Sequence, residues 1–267
     1  MRMHHALHAL TGIMRREAVR FIGQHGRFAA AIVRPLVWLG IFAVGFRSAL
    51  GLSIIPPYQT YILYEVYIVP GLVGMMLLFH GMQNSLSMVY DREMGSMRVL
   101  LTAPLPRWWL LGARLLASTV TVLPVVYLFL LLARFWEVRP PTLGYGAVLP
   151  ALVLAGLMLG AFGLVLSSFI HQLENFAGVM NFVIFPMFFA STALYPLWRL
   201  DEVSPTLATI AWVNPFSHAV ELIRFALYCR FEPAAFGVCI LALALFFGLA
   251  IWCYDPGRGF WGRRTAE

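Results

Sequence analysis

Residues 67–89 read YIVPGLVGMMLLFHGMQNSLSMV, an apolar run with no Asp, Glu, Lys or Arg, bounded by Glu65 on one side and Asp91-Arg92 on the other. At 1.5 Å per residue such a run crosses a hydrocarbon layer of about 30 Å. Five further stretches have the same character: residues 28–46 (interrupted by Arg34-Pro35), 109–133, 146–170, 176–197 and 234–254. The 267 residues are 61% apolar and 12% charged, about half the ~25% charge of a soluble domain. A soluble chain of this length has no interior large enough for that much apolar surface. This excludes a soluble enzyme, a disordered chain and a disulfide-stapled module. The pattern predicts an all-α, polytopic membrane protein with six transmembrane helices, forming one membrane domain over residues 1–267.

Charge placement gives the orientation. All 19 basic residues are Arg, and the net charge is +7. Twelve arginines fall on one side: Arg2, Arg15, Arg16, Arg20 and Arg27 before the first span, Arg92, Arg98, Arg107 and Arg114 around the second loop, and Arg258, Arg263 and Arg264 in the tail. Arg47, Arg134, Arg139, Arg199, Arg224 and Arg230 fall on the other side. The positive-inside rule therefore predicts both termini in the cytoplasm. The positive charge reads as a topology signal and implies no nucleic-acid partner. Without a lysine, the chain has no phosphate-binding P-loop and no Schiff-base amine.

Residues 1–27 are too polar to span. Leu7, Leu10, Met14, Ala18 and Phe21 recur at helical spacing, with Arg16, Arg20 and Arg27 opposite. This predicts an amphipathic helix at the inner membrane interface. It serves as an anchor, or it also meets a cytoplasmic partner. The Arg15-Arg16 pair does not read as a signal peptide, because the apolar run after it begins too late and is too long.

The second span carries polar residues on one arc: His80, Gln83, Asn84 and Ser87, ending at Asp91. Such groups avoid lipid. They line a translocation pathway, or they hydrogen-bond between helices. In the fourth span, Gly156 and Gly160 form a small-xxx-small pair suited to close helix contact. Pro186 predicts a kink in the fifth. The outer loop, residues 198–233, predicts short re-entrant helices beginning at Ser204-Pro205 and Asn214-Pro215, each a capping side chain followed by Pro at the first helical position. Glu221 and Arg224 are three apart and can pair. Cys229, Cys239 and Cys253 lack metal spacing and read as small thiols. His4, His5, His8 and His25 lack a fixed-ligand pattern, so no metal site is expected.

The loop over residues 90–108 is the most informative segment. Asp91-Arg92-Glu93 is followed by Gly95-Ser96 and then by Leu100-Leu101-Thr102-Ala103-Pro104-Leu105-Pro106-Arg107. Physically it is a short charged helix with a stiff exit, because Pro104 and Pro106 fix φ and remove donors. With Ala193-Leu194-Tyr195-Pro196-Leu197 and Trp212-Val213-Asn214-Pro215-Phe216, it resembles the type-2 ABC exporter permeases. The resemblance implies a permease subunit in the bacterial inner membrane, working as a homodimer with a separate ATPase subunit. ATP and Mg would be held on that partner, and no cofactor or catalytic residue is expected here. It implies ATPase-coupling residues Arg92, Glu93, Gly95, Ser96, Met97 and Arg98, and an outer gate at Asn214, Pro215, Glu221 and Arg224. The implied substrate is amphipathic: a drug, lipid or glycolipid. A polysaccharide exporter is the alternative. An intramembrane lipid enzyme is a second alternative, although neither H-E-x-x-H nor G-x-S-x-G occurs.

Overall fold

The computed structural model describes residues 3–46, 56–58, 62–94, 106–170 and 172–253. Every long element in them is a helix. In chain order they are α1 (Met3–Gly23), α2 (His25–Phe46), α3 (Tyr64–Glu93), α4 (Arg107–Leu132), α5 (Gly144–Phe169), α6 (Leu173–Phe189), α7 (Leu197–Val203), α8 (Pro205–Val213), α9 (Pro215–Leu227) and α10 (Pro233–Cys253).

Four helices are long and apolar enough to cross a membrane, over Tyr64–Tyr90, Trp108–Trp136, Gly144–Phe169 and Pro233–Cys253. They coincide with the second, third, fourth and last predicted spans. The other two fall short of the same measure. In α2 the apolar stretch is Phe28–Phe42, and in α6 it is Glu174–Phe189. The predicted fifth span ran to residue 197, but the helix stops at Phe189 and residues 190–195 fold into a turn. Pro186 lies in its last turn and accepts the Ala190 N–H at 2.9 Å. It marks a helix end and not a mid-span kink.

Helix α3 is the axis of the bundle. It packs against α2, α4, α5, α6 and α9, and 94% of its spanning stretch is buried, against 22% for α10 at the periphery. Its neighbours come close because glycines meet backbone. A Cβ on Gly81 would lie 2.9 Å from the Gly160 Cα of α5, and one on Gly163 would lie 2.6 Å from Ser85 Oγ of α3. The Gly156 position faces Thr119 of α4 in the same way, at 2.6 Å. The glycines of the fourth span thus seat α5 against two helices at once. Leu72, Met75 and Leu77 of α3, Phe129 of α4 and Leu152 of α5 fill the core between them.

Helix α1 runs into α2 with a single break at Gln24, and packs on α4 and α2. Phe21 is buried and meets the His80 ring edge-on at 5.3 Å. The expected apolar face is therefore turned at least partly onto the bundle. Arg20, expected on the opposite face, lines a crevice beside His80.

The expected break after the second span falls later than its charged residues. Tyr90 to Glu93 continue α3 without interruption, since no Gly or Pro lies between Gly81 and Gly95. Cys239 is buried in α10, whereas Cys229 is exposed.

Candidate functional site

Three groups of residues stand out from the sequence, and the structure places them very differently. For the coupling segment, Arg92 and Glu93 occupy the last turn of α3. Gly95, Ser96, Met97 and Arg98 lie outside the described residues, as do His171, Arg47 and residues 254–267.

The polar arc of α3 is internal to the chain. It faces α1, α2 and α4. His80 Nε2 donates to the Ser118 carbonyl of α4 at 3.1 Å. Ser87 Oγ donates to the Asn84 carbonyl at 2.6 Å and accepts from Arg114 Nη2 at 2.7 Å. Arg114 is buried, and its Nε lies 4.0 Å from Glu17 of α1, which also meets Arg16 at 3.3 Å. Glu17, Arg20, His80, Asn84, Ser87 and Thr121 border one crevice between α1, α3 and α4. Sequence reasoning passed over Glu17. The signal was there: Leu10, Met14, Glu17 and Phe21 share one helical face, so a carboxylate sits in the apolar stripe and has to find a partner.

Gln83 looks the other way along the arc, into a second crevice with Arg34 of α2. The Arg34 guanidinium rests 4.1 Å from the centre of the Phe79 ring. An arginine within an apolar helix is costly unless it finds a partner or a polar surrounding. The cation–π contact with Phe79 contributes about 0.5–2 kcal/mol.

The outer group is built on two helix caps and a buried ion pair. Ser204 caps α8, accepting from the Leu207 N–H at 3.4 Å. Asn214 does more than cap α9. Its Oδ1 accepts from the Phe216 N–H at 3.0 Å, while its Nδ2 donates to the carbonyls of Met187 and Ala190 at 2.8 and 2.9 Å. One side chain thus ties the start of α9 to the end of α6. Pro215 follows as the first residue of α9. Replacing Asn214 with Ala removes a cap worth about 1 kcal/mol and two further bonds of about 1 kcal/mol each. We expect a loss of about 2–3 kcal/mol, read as a lower melting temperature in detergent. Asn214→Asp should keep the cap but set an acceptor-only carboxylate oxygen against the Met187 and Ala190 carbonyls, so it should rescue little of the loss.

Arg224 is 1% exposed. It pairs with Glu221 and donates from Nη2 to the Thr192 carbonyl at 2.9 Å. Its guanidinium lies over the Tyr67 ring, 4.0 Å from the centroid. Burial disfavours the charge, but Glu221 outweighs that effect and holds the arginine above its ordinary pKa. The Tyr67 hydroxyl donates to the same Thr192 carbonyl at 2.8 Å, and Tyr64 donates to the Leu194 carbonyl at 3.0 Å. The turn after α6 is thereby fixed to α3 and α9 together. Beside it opens a cavity of about 700 Å³, bordered by Tyr67, Trp198, Trp212, His218, Glu221 and Arg224. The sequence showed the caps and the Glu221–Arg224 pair. It gave no sign of Thr192, because the group that matters there is a backbone carbonyl.

The profile of ABC-2 type transporters matches residues 8–228, from within α1 to the end of α9. The chain belongs to the ABC-2 type transporter family. Its relatives include the transport permease ycf38 of Porphyra purpurea, 27% identical over 205 residues, covering 73% of this chain and 66% of that one. The ycf38 permease of Pyropia yezoensis is 26% identical over 233 residues, covering 83% and 75%. YbhR of Escherichia coli K12, named as a multidrug ABC transporter permease, is 28% identical over 165 residues, covering 60% and 43%. The chain thus spans just under two thirds of the Porphyra permease and less than half of YbhR. Family membership together with four membrane-long apolar helices makes it a multi-pass membrane protein of the permease type.

Proposed function

We propose that this chain is the membrane subunit of an ATP-driven exporter of an amphipathic substrate. It works as a homodimer of six-span subunits with a separate ATPase that holds ATP and Mg. The observation that carries the reading is the family match over residues 8–228 in a chain without a single lysine. An ABC transporter needs a nucleotide site, and the P-loop that cradles its phosphates uses a lysine. That site lies outside these 267 residues and belongs, in this proposal, to the separate ATPase subunit. Both termini lie in the cytoplasm of a bacterium, with α1 at the inner interface and α7 to α9 forming the outer gate.

In this reading the segment from Arg92 to Arg98 receives the ATPase's motion and passes it into α3. The polar arc on α3 accompanies the substrate, and the outer cavity precedes its release. Support for the first step is the uninterrupted helix from Tyr64 to Glu93.

The test is co-expression with the ATPase and reconstitution in proteoliposomes. The wild-type complex should couple ATP turnover to export of a labelled amphiphile. Glu93→Ala with Arg98→Ala should leave the complex assembled while turnover falls to the rate of the isolated ATPase. Unchanged turnover in that double variant overturns the coupling assignment. Failure to recover any ATPase with the permease overturns the function.

A further inference from the structure

Arg34 is not used by the hydrogen-bond networks described above. It lies in the apolar run of α2, half-buried, and among the described residues no carboxylate reaches it. Its crevice, bordered by Ala31, Pro35, Met75, Phe79 and Gln83, measures about 30 Å³. That is room for a water molecule or one oxygen of a ligand, and a larger group would sit at the mouth.

Two surroundings indicate what sits there. The first is charge. His80 borders both this crevice and the neighbouring one that holds Arg20 and Glu17. Around the two crevices stand Arg20, Arg34 and Arg114 against the carboxylate of Glu17, which Arg16 also engages. Among the described side chains the region has an excess of guanidinium, a group whose planar fork suits phosphate and carboxylate oxygens. The second is shape. Val33, Val37 and Ile41 recur every four residues along α2 beside Arg34, and all three are exposed. They form an apolar track that starts next to the charge.

We infer that Arg34 and this track bind an acidic amphiphile: a phosphate or carboxylate headgroup docks on the guanidinium and the chain lies along Val33, Val37 and Ile41. This deepens the exporter reading, on which it rests, by assigning the substrate a negative headgroup.

The experiment uses the full-length permease in phosphatidylcholine nanodiscs. Fluorescent phosphatidylglycerol and phosphatidylcholine of equal chain length are the probes. The phosphatidylglycerol probe should bind about ten-fold tighter, a difference of ~1.4 kcal/mol. Arg34→Gln should abolish the preference, and Arg34→Lys should keep part of it because the charge survives without the fork. Val37→Glu offers an independent variant at an exposed position: it places a carboxylate one turn from Arg34 and should abolish the preference with the core untouched. Inorganic phosphate should compete only weakly, because it lacks the chain. Full displacement by low phosphate concentrations overturns the amphiphile assignment in favour of a free-anion site. A preference that survives in both Arg34→Gln and Val37→Glu marks ordinary annular lipid and overturns the site. ATP-driven flux in the assembled exporter is scored separately. Headgroup preference without flux overturns the exporter reading and leaves the anion site standing, whereas flux without headgroup preference overturns the anion site alone.

Discussion

Arg224→Ala is expected to destabilise the chain by about 3 kcal/mol. Removing one member of a buried ion pair typically costs 3–5 kcal/mol, because the partner is left charged and unpaired. The low end applies here, since the Glu221 side chain keeps 26% of its surface exposed and regains some hydration. The Thr192 carbonyl loses one of two donors, and the Tyr67 ring loses the cation above it. At roughly 3 °C per kcal/mol for a chain of this size, the melting temperature in detergent should fall by about 10 °C. Arg224→Lys should recover part of the loss, because a point charge can pair with Glu221 but cannot also reach Thr192 with a second nitrogen in the same geometry. Removing both charges, as Glu221→Gln with Arg224→Met, should be milder than Arg224→Ala, since no unpaired ion remains. Equal melting temperatures for wild type and Arg224→Ala would show that the pair contributes nothing.

Gly81→Val is the second large effect. The obstacle to any side chain there is the backbone of Gly160 at 2.9 Å, with its amide nitrogen at 3.1 Å. Backbone cannot rotate away as a flexible side chain can. The two helices have to part, and every contact on both sides loosens with them. Overpacking costs 1–3 kcal/mol and more where nothing yields, so we expect about 3 kcal/mol and poor recovery of monodisperse protein on size exclusion. Gly237→Ala is the matched control. Nothing lies within 4 Å of its new Cβ, and alanine favours the helix by up to about 1 kcal/mol. A Gly81→Val chain as stable as Gly237→Ala would disprove the close α3–α5 contact.

The sequence revealed most where the physics is local. The caps at Ser204 and Asn214 and the Glu221–Arg224 pair depend on residues two to four apart, and each lies where the spacing put it. Helix α7 was missed because Pro196 precedes it and contributes no side-chain cap. The fifth span read too long because Ala190, Ala193 and Leu194 carry its apolar composition past the polar pair Ser191 and Thr192. Their backbone instead turns back, held by Asn214 and Ser217 from another helix. The arc of His80, Asn84 and Ser87 was visible, but its partners Ser118, Arg114 and Glu17 lie on two other helices. Periodicity reports which face is polar and not what that face meets.

The shared Thr192 carbonyl has a mechanical corollary. Helix α3 has 30 residues, about 45 Å of unbroken helix at 1.5 Å per residue. Glu93 stands at one end, and Tyr64 and Tyr67, bonded to the turn after α6, stand at the other. Pro70 lies close to the Tyr67 end, where an interior proline removes one backbone bond, so the rest of the helix is the stiffer part. In the exporter proposed above, a push at Glu93 would reach the Tyr64–Leu194 and Tyr67–Thr192 bonds as strain, and a ligand in the outer cavity would pull back on the same helix. In that proposal the timing of events on the two membrane faces would depend on the stiffness of one helix.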